Sequence, residues 1–129
     1  MEYSSDRYHF ATLLQLETET KAWLQPFLFR YGIEFTRPDI RPLIEGAVAL
    51  YNENGWKGLM LGSKKIVTNV LADFEAIAAV GPESDEPYLQ GMVRHEKAIL
   101  SWVTDELRDA GDASLSSVIA QLKYPISRP

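Results

Sequence analysis

The chain has 129 residues, 46% apolar and 11% aromatic, with no cysteine and a formal charge of -5. That length and composition suit one domain, 1–129, whose core needs no disulfide or metal support. The missing cysteines exclude disulfides, thiolate zinc sites, cysteine nucleophiles and thiol redox chemistry, and acidic and basic residues interspersed on an acidic chain offer no phosphate-tracking surface. Neither nucleic acid nor a membrane is therefore expected as a partner. The N-terminal stretch lacks the basic and then apolar pattern of a secretory signal, and no apolar run approaches the roughly 18 to 20 residues that span a bilayer. A soluble, cytoplasmic protein is the expectation.

From Asp6 to Tyr31, the apolar residues Phe10, Leu13, Leu14, Leu24, Phe27, Leu28 and Tyr31 recur at spacings of three and four, which predicts an amphipathic helix. Ser4, Ser5 or Asp6 is expected to cap it and Gly32 to end it, with a kink or break at Pro26. A second helix opens near Pro38 and runs to Asn54-Gly55, with Ile40, Leu43, Ile44, Ala47, Leu50 and Tyr51 inward. The third is expected over about Ser63 to Val80, with an earlier start left open, on the stripe Ile66, Val67, Val70, Leu71, Phe74 and Ile77. Gly81 to Pro87 is a turn whose acidic residues suit the positive end of the next helix. The fourth helix carries Leu89, Met92, Val93, Ile99, Leu100, Val103 and Leu107 and stops near Gly111. A short fifth, Ser114 to Leu122 with Ser114 as cap, closes one end. No strand-like alternation appears. The fold expected is all-α, an antiparallel up-and-down bundle of four main helices plus a short C-terminal helix.

Two acids break this pattern. At about 100° per residue, Glu96 lies at the centre of the apolar stripe of the fourth helix, and Glu17 lies near the middle of the first helix's stripe. A carboxylate in an apolar interior must be paired, hydrogen-bonded or neutralised by a raised pKa. The candidate partners are Lys21, His95, Tyr88, Ser63, His9 and Tyr51. Two carboxylates near one another divide into a proton donor and a proton acceptor; alternatively, Glu17 pairs with Lys21 and Glu96 with a hydroxyl or histidine, and both merely fix helix register. His95 lies at the stripe's edge and is a candidate proton carrier or a satisfied boundary residue. Tyr51, Tyr88 and Trp102 read either as pocket lining or as core and rim aromatics.

With an inward Glu17 on its first helix and the pair His95-Glu96 on its fourth, the chain resembles the ferritin-like superfamily, which implies a helical bundle and a carboxylate metal site. The di-iron pattern asks for Glu three residues before each histidine. Met92 stands there instead, and Glu45 and Glu75 point outward, so the resemblance is one of bundle layout, and no metal or cofactor is expected. The stretch Gly58 to Lys65 superficially resembles a phosphate loop, but its spacing is wrong and no strand precedes it.

The leading expectation is a small, cofactor-free enzyme that isomerises, eliminates or cyclises a small, largely apolar molecule. Glu17 and Glu96 transfer protons, His95 and Lys21 orient or tune them, and Tyr51, Tyr88, Met92 and Trp102 line the pocket. The second is a non-catalytic bundle that forms a homodimer or binds another protein. A ferritin-like carboxylate metal site is the third.

Overall fold

The computed structural model describes residues 3–34 and 39–128, and among them the fold is all-α. Helix α1 spans Tyr3–Arg30, α2 Arg41–Val80, α3 Glu86–Leu107 and α4 Ser116–Gln121, with 3-10 turns at Glu83–Asp85 and Gly111–Leu115. None is long and apolar enough to cross a membrane.

Helix α1 starts before all three expected caps and continues unbroken through Pro26. It ends as the sequence predicts. Gly32 adopts a φ of 66°, and the Ile33 N–H reaches back to the Leu28 carbonyl at 2.9 Å, a closure that favours a residue without Cβ. Pro38, the expected start of the second helix, lies outside the described residues.

The 40 residues of α2 are two limbs, 41–53 and 56–80, separated by non-helical angles at Asn54 and Gly55. In a straight helix Leu50 and Gly62 would stand about 18 Å apart. Here a Cβ on Gly62 would sit 2.5 Å from Leu50 Cδ1, and one on Gly58 would sit 2.9 Å from the Leu50 carbonyl oxygen. The chain therefore turns sharply at Asn54-Gly55, and Gly58 and Gly62 let the limbs approach closely. The second limb begins earlier than the expected Ser63 because Trp56, Leu59 and Met60 pack inward ahead of it.

The 41–53 limb does not occupy the inward position assigned to it. Leu43, Ile44, Val48 and Tyr51 are each at least half exposed, because the turn at Gly55 directs the limb onto the glycine face of its own helix.

The core gathers Leu16 from α1, Met60 from α2, Ala98, Trp102 and Val103 from α3, and Leu115 and Val118 from the C-terminal turn and α4. Leu115 and Val118 are fully buried, each contributing roughly 1.5 to 3 kcal/mol. Ser114 does not cap α4. Its hydroxyl donates to the Gly111 carbonyl within the 3-10 turn that precedes the helix.

Helix α3 is the central element and packs against α1, α2 and α4. The backbones of α1 and α2 nowhere approach within 8 Å, Cα to Cα, among the described residues. A cleft with α3 as its floor is left between them.

Candidate functional site in the cleft

Successive turns of α1 place Leu14, Glu17, Lys21 and Leu24 along one wall of this cleft, while Phe74 of α2 and Met92, His95 and Glu96 of α3 complete it around about 450 Å3. The structure thus brings Glu17, Lys21, Met92, His95 and Glu96 together. Tyr51, Tyr88 and Trp102 lie elsewhere. Tyr51 stands on the outer limb of α2, and Tyr88 stacks on Phe27 with ring centroids 4.9 Å apart. Trp102 is buried in the core and bonded to His9.

His95 is the junction of the site. Its Nε2 lies 3.1 Å from Glu17 Oε1 and 3.8 Å from Glu96 Oε1, and its Nδ1 lies 2.8 Å from the Thr20 hydroxyl. A carboxylate only accepts, so Nε2 carries a proton toward Glu17. The Thr20 hydroxyl donates to Nδ1 of the neutral ring or accepts from Nδ1–H of the charged one. Both states are therefore satisfied in the same geometry.

The two acids differ in environment. The Glu17 side chain is 60% exposed, against 12% for Glu96 and 7% for His95. Sequestration of Glu17 is thus a correction to the periodicity reading. The side of α1 facing α3 is the one carrying His9, Thr12 and Leu16, which are all buried, and Glu17 stands at the lip of the cleft. Burial pushes the Glu96 carboxyl above its ordinary value, the Glu17 charge adds to that rise, and His95 opposes it.

On the other face of His95, a second hollow of about 540 Å3 is lined by Leu16, Thr20, Trp23, Arg94 and Tyr124 among others. Glu19 closes its edge by accepting the backbone N–H groups of Lys123 and Tyr124 at 2.6 and 3.0 Å. Partial burial alone would raise the Glu19 pKa. These two bonds, with the Gln15 amide and the Lys123 charge, outweigh it and hold the carboxyl below its ordinary value.

The chain matches no family model, no curated protein and no solved structure. Its site is therefore read from geometry alone. Among the described residues no group of three or more His, Asp or Glu side chains could hold a metal ion.

Periodicity missed Thr20 and Glu19. Thr20 carried a signal, since it lies three residues after Glu17 and so one turn along the helix. Glu19 carried none, because its partners are backbone groups about a hundred residues away.

Proposed function

We propose that this chain is a small, cofactor-independent enzyme that moves protons on a small, largely apolar molecule held between α1, α2 and α3. One observation carries the reading. A largely buried carboxyl and a solvent-facing one converge on the same imidazole nitrogen, at 3.8 and 3.1 Å, in the wall of an apolar cleft.

Glu96, whose proton is held more tightly than usual by burial, is the acid that faces the ligand. His95 and Glu17 form the path by which a proton returns to water. In a double-bond isomerisation, Glu96 gives a proton to one end of the ligand, and the His95–Glu17 pair takes one from the other. Exchange through Glu17 and solvent then restores both groups, with no change in oxidation state. Leu14, Leu24, Phe74 and Met92 supply the apolar contact, and Lys21 stands beside Glu17 to orient or tune it. The frame belonging to this reading is an antiparallel four-helix bundle of α1, the two limbs of α2, and α3, supported by the short 81–85 connection between the last two.

Proton abstraction is measurable before any net reaction is known. Small unsaturated and carbonyl compounds incubated with the protein in D2O are expected to gain deuterium, read by mass spectrometry, for those that fit the cleft. Glu96→Gln and Glu17→Gln are nearly isosteric, and each is expected to slow exchange at least tenfold. Unchanged exchange in both variants rules out the assignment.

A further inference from the structure

We propose that the second hollow, the one closed at its edge by Glu19 and residues 123–124, binds a small, flat aromatic carboxylate. The inference does not rest on the chemistry proposed for the cleft.

The hollow and the cleft are separate spaces. Thr20 and His95 line both, and the 2.8 Å bond between the Thr20 hydroxyl and His95 Nδ1 is the partition between them. A volume of about 540 Å3 falls within the range of pockets for small organic ligands, roughly 300 to 1,000 Å3.

Charge selects the sign of the ligand. The lining holds two cations, Arg94 and Lys123, against one acid, Glu19. Both oxygens of that acid are already committed, Oε1 to the Lys123 amide and Oε2 to the Tyr124 amide and the Gln15 side chain. Arg94, by contrast, pairs with no acid among the described residues. A smaller hollow that shares Arg94 and Gln121 with this one adds Lys97 and no further acid. Cations thus outnumber acids along this edge of a chain whose net charge is -5. The planar guanidinium fork matches a carboxylate through two parallel hydrogen bonds. Backbone N–H groups that would cradle a phosphate are less at hand, because those of Lys123 and Tyr124 already serve Glu19.

The apolar part of the lining selects a ring. Trp23 is 41% exposed and lines the hollow, yet its indole is fixed by two neighbours. A Cβ on Gly91 would run into that indole, so the glycine lets it lie directly on α3. Tyr88 packs against it as well, with ring centroids 4.9 Å apart. Tyr124 supplies a second ring to the lining, with Lys123 Nζ 5.6 Å from its centre. Aromatic surface and positive charge therefore stand side by side. A flat ring stacks on such surfaces, and an indole already held in place loses little freedom when it does.

Calorimetric titration of the full chain with cinnamate, its neutral isostere cinnamamide, acetate and inorganic phosphate tests the assignment. Cinnamate is expected to bind at one site per chain, at least tenfold more tightly than any of the other three. Arg94→Gln, at an exposed position, is expected to weaken cinnamate at least fivefold with cinnamamide unchanged and the helical circular dichroism intact. Phe74→Leu, which alters the cleft and not the hollow, is expected to leave cinnamate affinity within twofold. Failure of cinnamate to bind the wild type overturns the proposal, as does equal affinity for acid and amide or undiminished affinity in Arg94→Gln. Phosphate or acetate binding as tightly as cinnamate overturns it in favour of a plain anion site. A loss in Phe74→Leu that matches the loss in Arg94→Gln overturns it in favour of the cleft.

Discussion

The indole N–H of Trp102 ends on Nδ1 of His9 at 2.9 Å, inside the core. Nδ1 therefore presents its lone pair, the ring's proton sits on Nε2, and Nε2–H donates to Asp112 at 2.8 Å. Glu106 Oε1 lies 3.5 Å from the same Nδ1, but the lone pair is already committed to the indole. That approach is a close contact and not an ion pair, and Glu106 Oε1 is left buried without a hydrogen-bond partner.

Trp102→Phe keeps most of the ring's bulk and removes the donor, leaving Nδ1 of a fully buried imidazole unpaired. The expected cost is about 1 to 3 kcal/mol, read as a lower midpoint in urea denaturation with unchanged slope. A midpoint within error of wild type removes this bond from the list of what holds α1 to α3.

Stability is expected to depend on Glu96 with a definite sign. Its carboxyl is raised above the ordinary 4.5, by burial first and then by the Glu17 charge. The folded state thus binds that proton more tightly than the unfolded chain does. The resulting stabilisation is fully present below about pH 4.5 and is lost as the pH rises through the folded-state value. Glu96→Gln removes the titration. Its melting temperature relative to wild type is expected to rise between pH 4 and pH 7. A flat or falling difference over that window contradicts the raised carboxyl.

Glu19 behaves in the opposite sense, because its ionised form accepts the Lys123 and Tyr124 amides. Its contribution is present above the ordinary 4.5 and disappears as the pH falls through the lower folded-state value. Glu19→Ala is expected to free residues 123–124 while leaving the core in place. Hydrogen exchange of those two amides should accelerate at least tenfold at pH 7, with the amides of α3 unaffected. Equal protection in variant and wild type dismisses the clamp.

Gly58 tests the hinge by sign. On an ordinary straight helix, Gly→Ala stabilises by about 1 kcal/mol. Here the added methyl meets Asn54 Cβ at 2.6 Å and the Leu50 carbonyl at 2.9 Å, and a backbone oxygen cannot turn aside. Gly58→Ala is therefore expected to destabilise by about 1 to 3 kcal/mol, measured by thermal denaturation. A rise in melting temperature means the limbs do not fold against one another.

Helical periodicity located most elements because each long helix has at least one apolar row, and Gly32 and the Asn54-Gly55 break follow from backbone chemistry that any sequence displays. It failed where the most apolar row of a helix is not the buried one. On α1 the row Phe10, Leu14, Leu24 and Leu28 shares its face with Glu17, and that face borders the cleft; the buried row runs through His9, Thr12 and Leu16. Two of those three are polar, so hydrophobicity alone placed the interior on the wrong side. Limb 41–53 misled for a related reason, since an apolar stripe reports that burial is needed and not what supplies it. Asp85 read as a helix-start charge. It is instead a buried anchor that pairs with Arg30 at 2.8 Å and with the Tyr31 hydroxyl.

That anchor bears on how anything reaches the cleft. Near one end α1 is tied down through His9 to Asp112 and Trp102, near the other through Arg30 and Tyr31 to Asp85, and midway by Glu17 and Thr20 to His95. Helix α2 is held differently, by close backbone packing along α3. A visiting molecule accordingly meets one wall pinned by side chains at three levels and another seated on the same floor by close backbone packing, so the largest guest admitted is set by the gap between them.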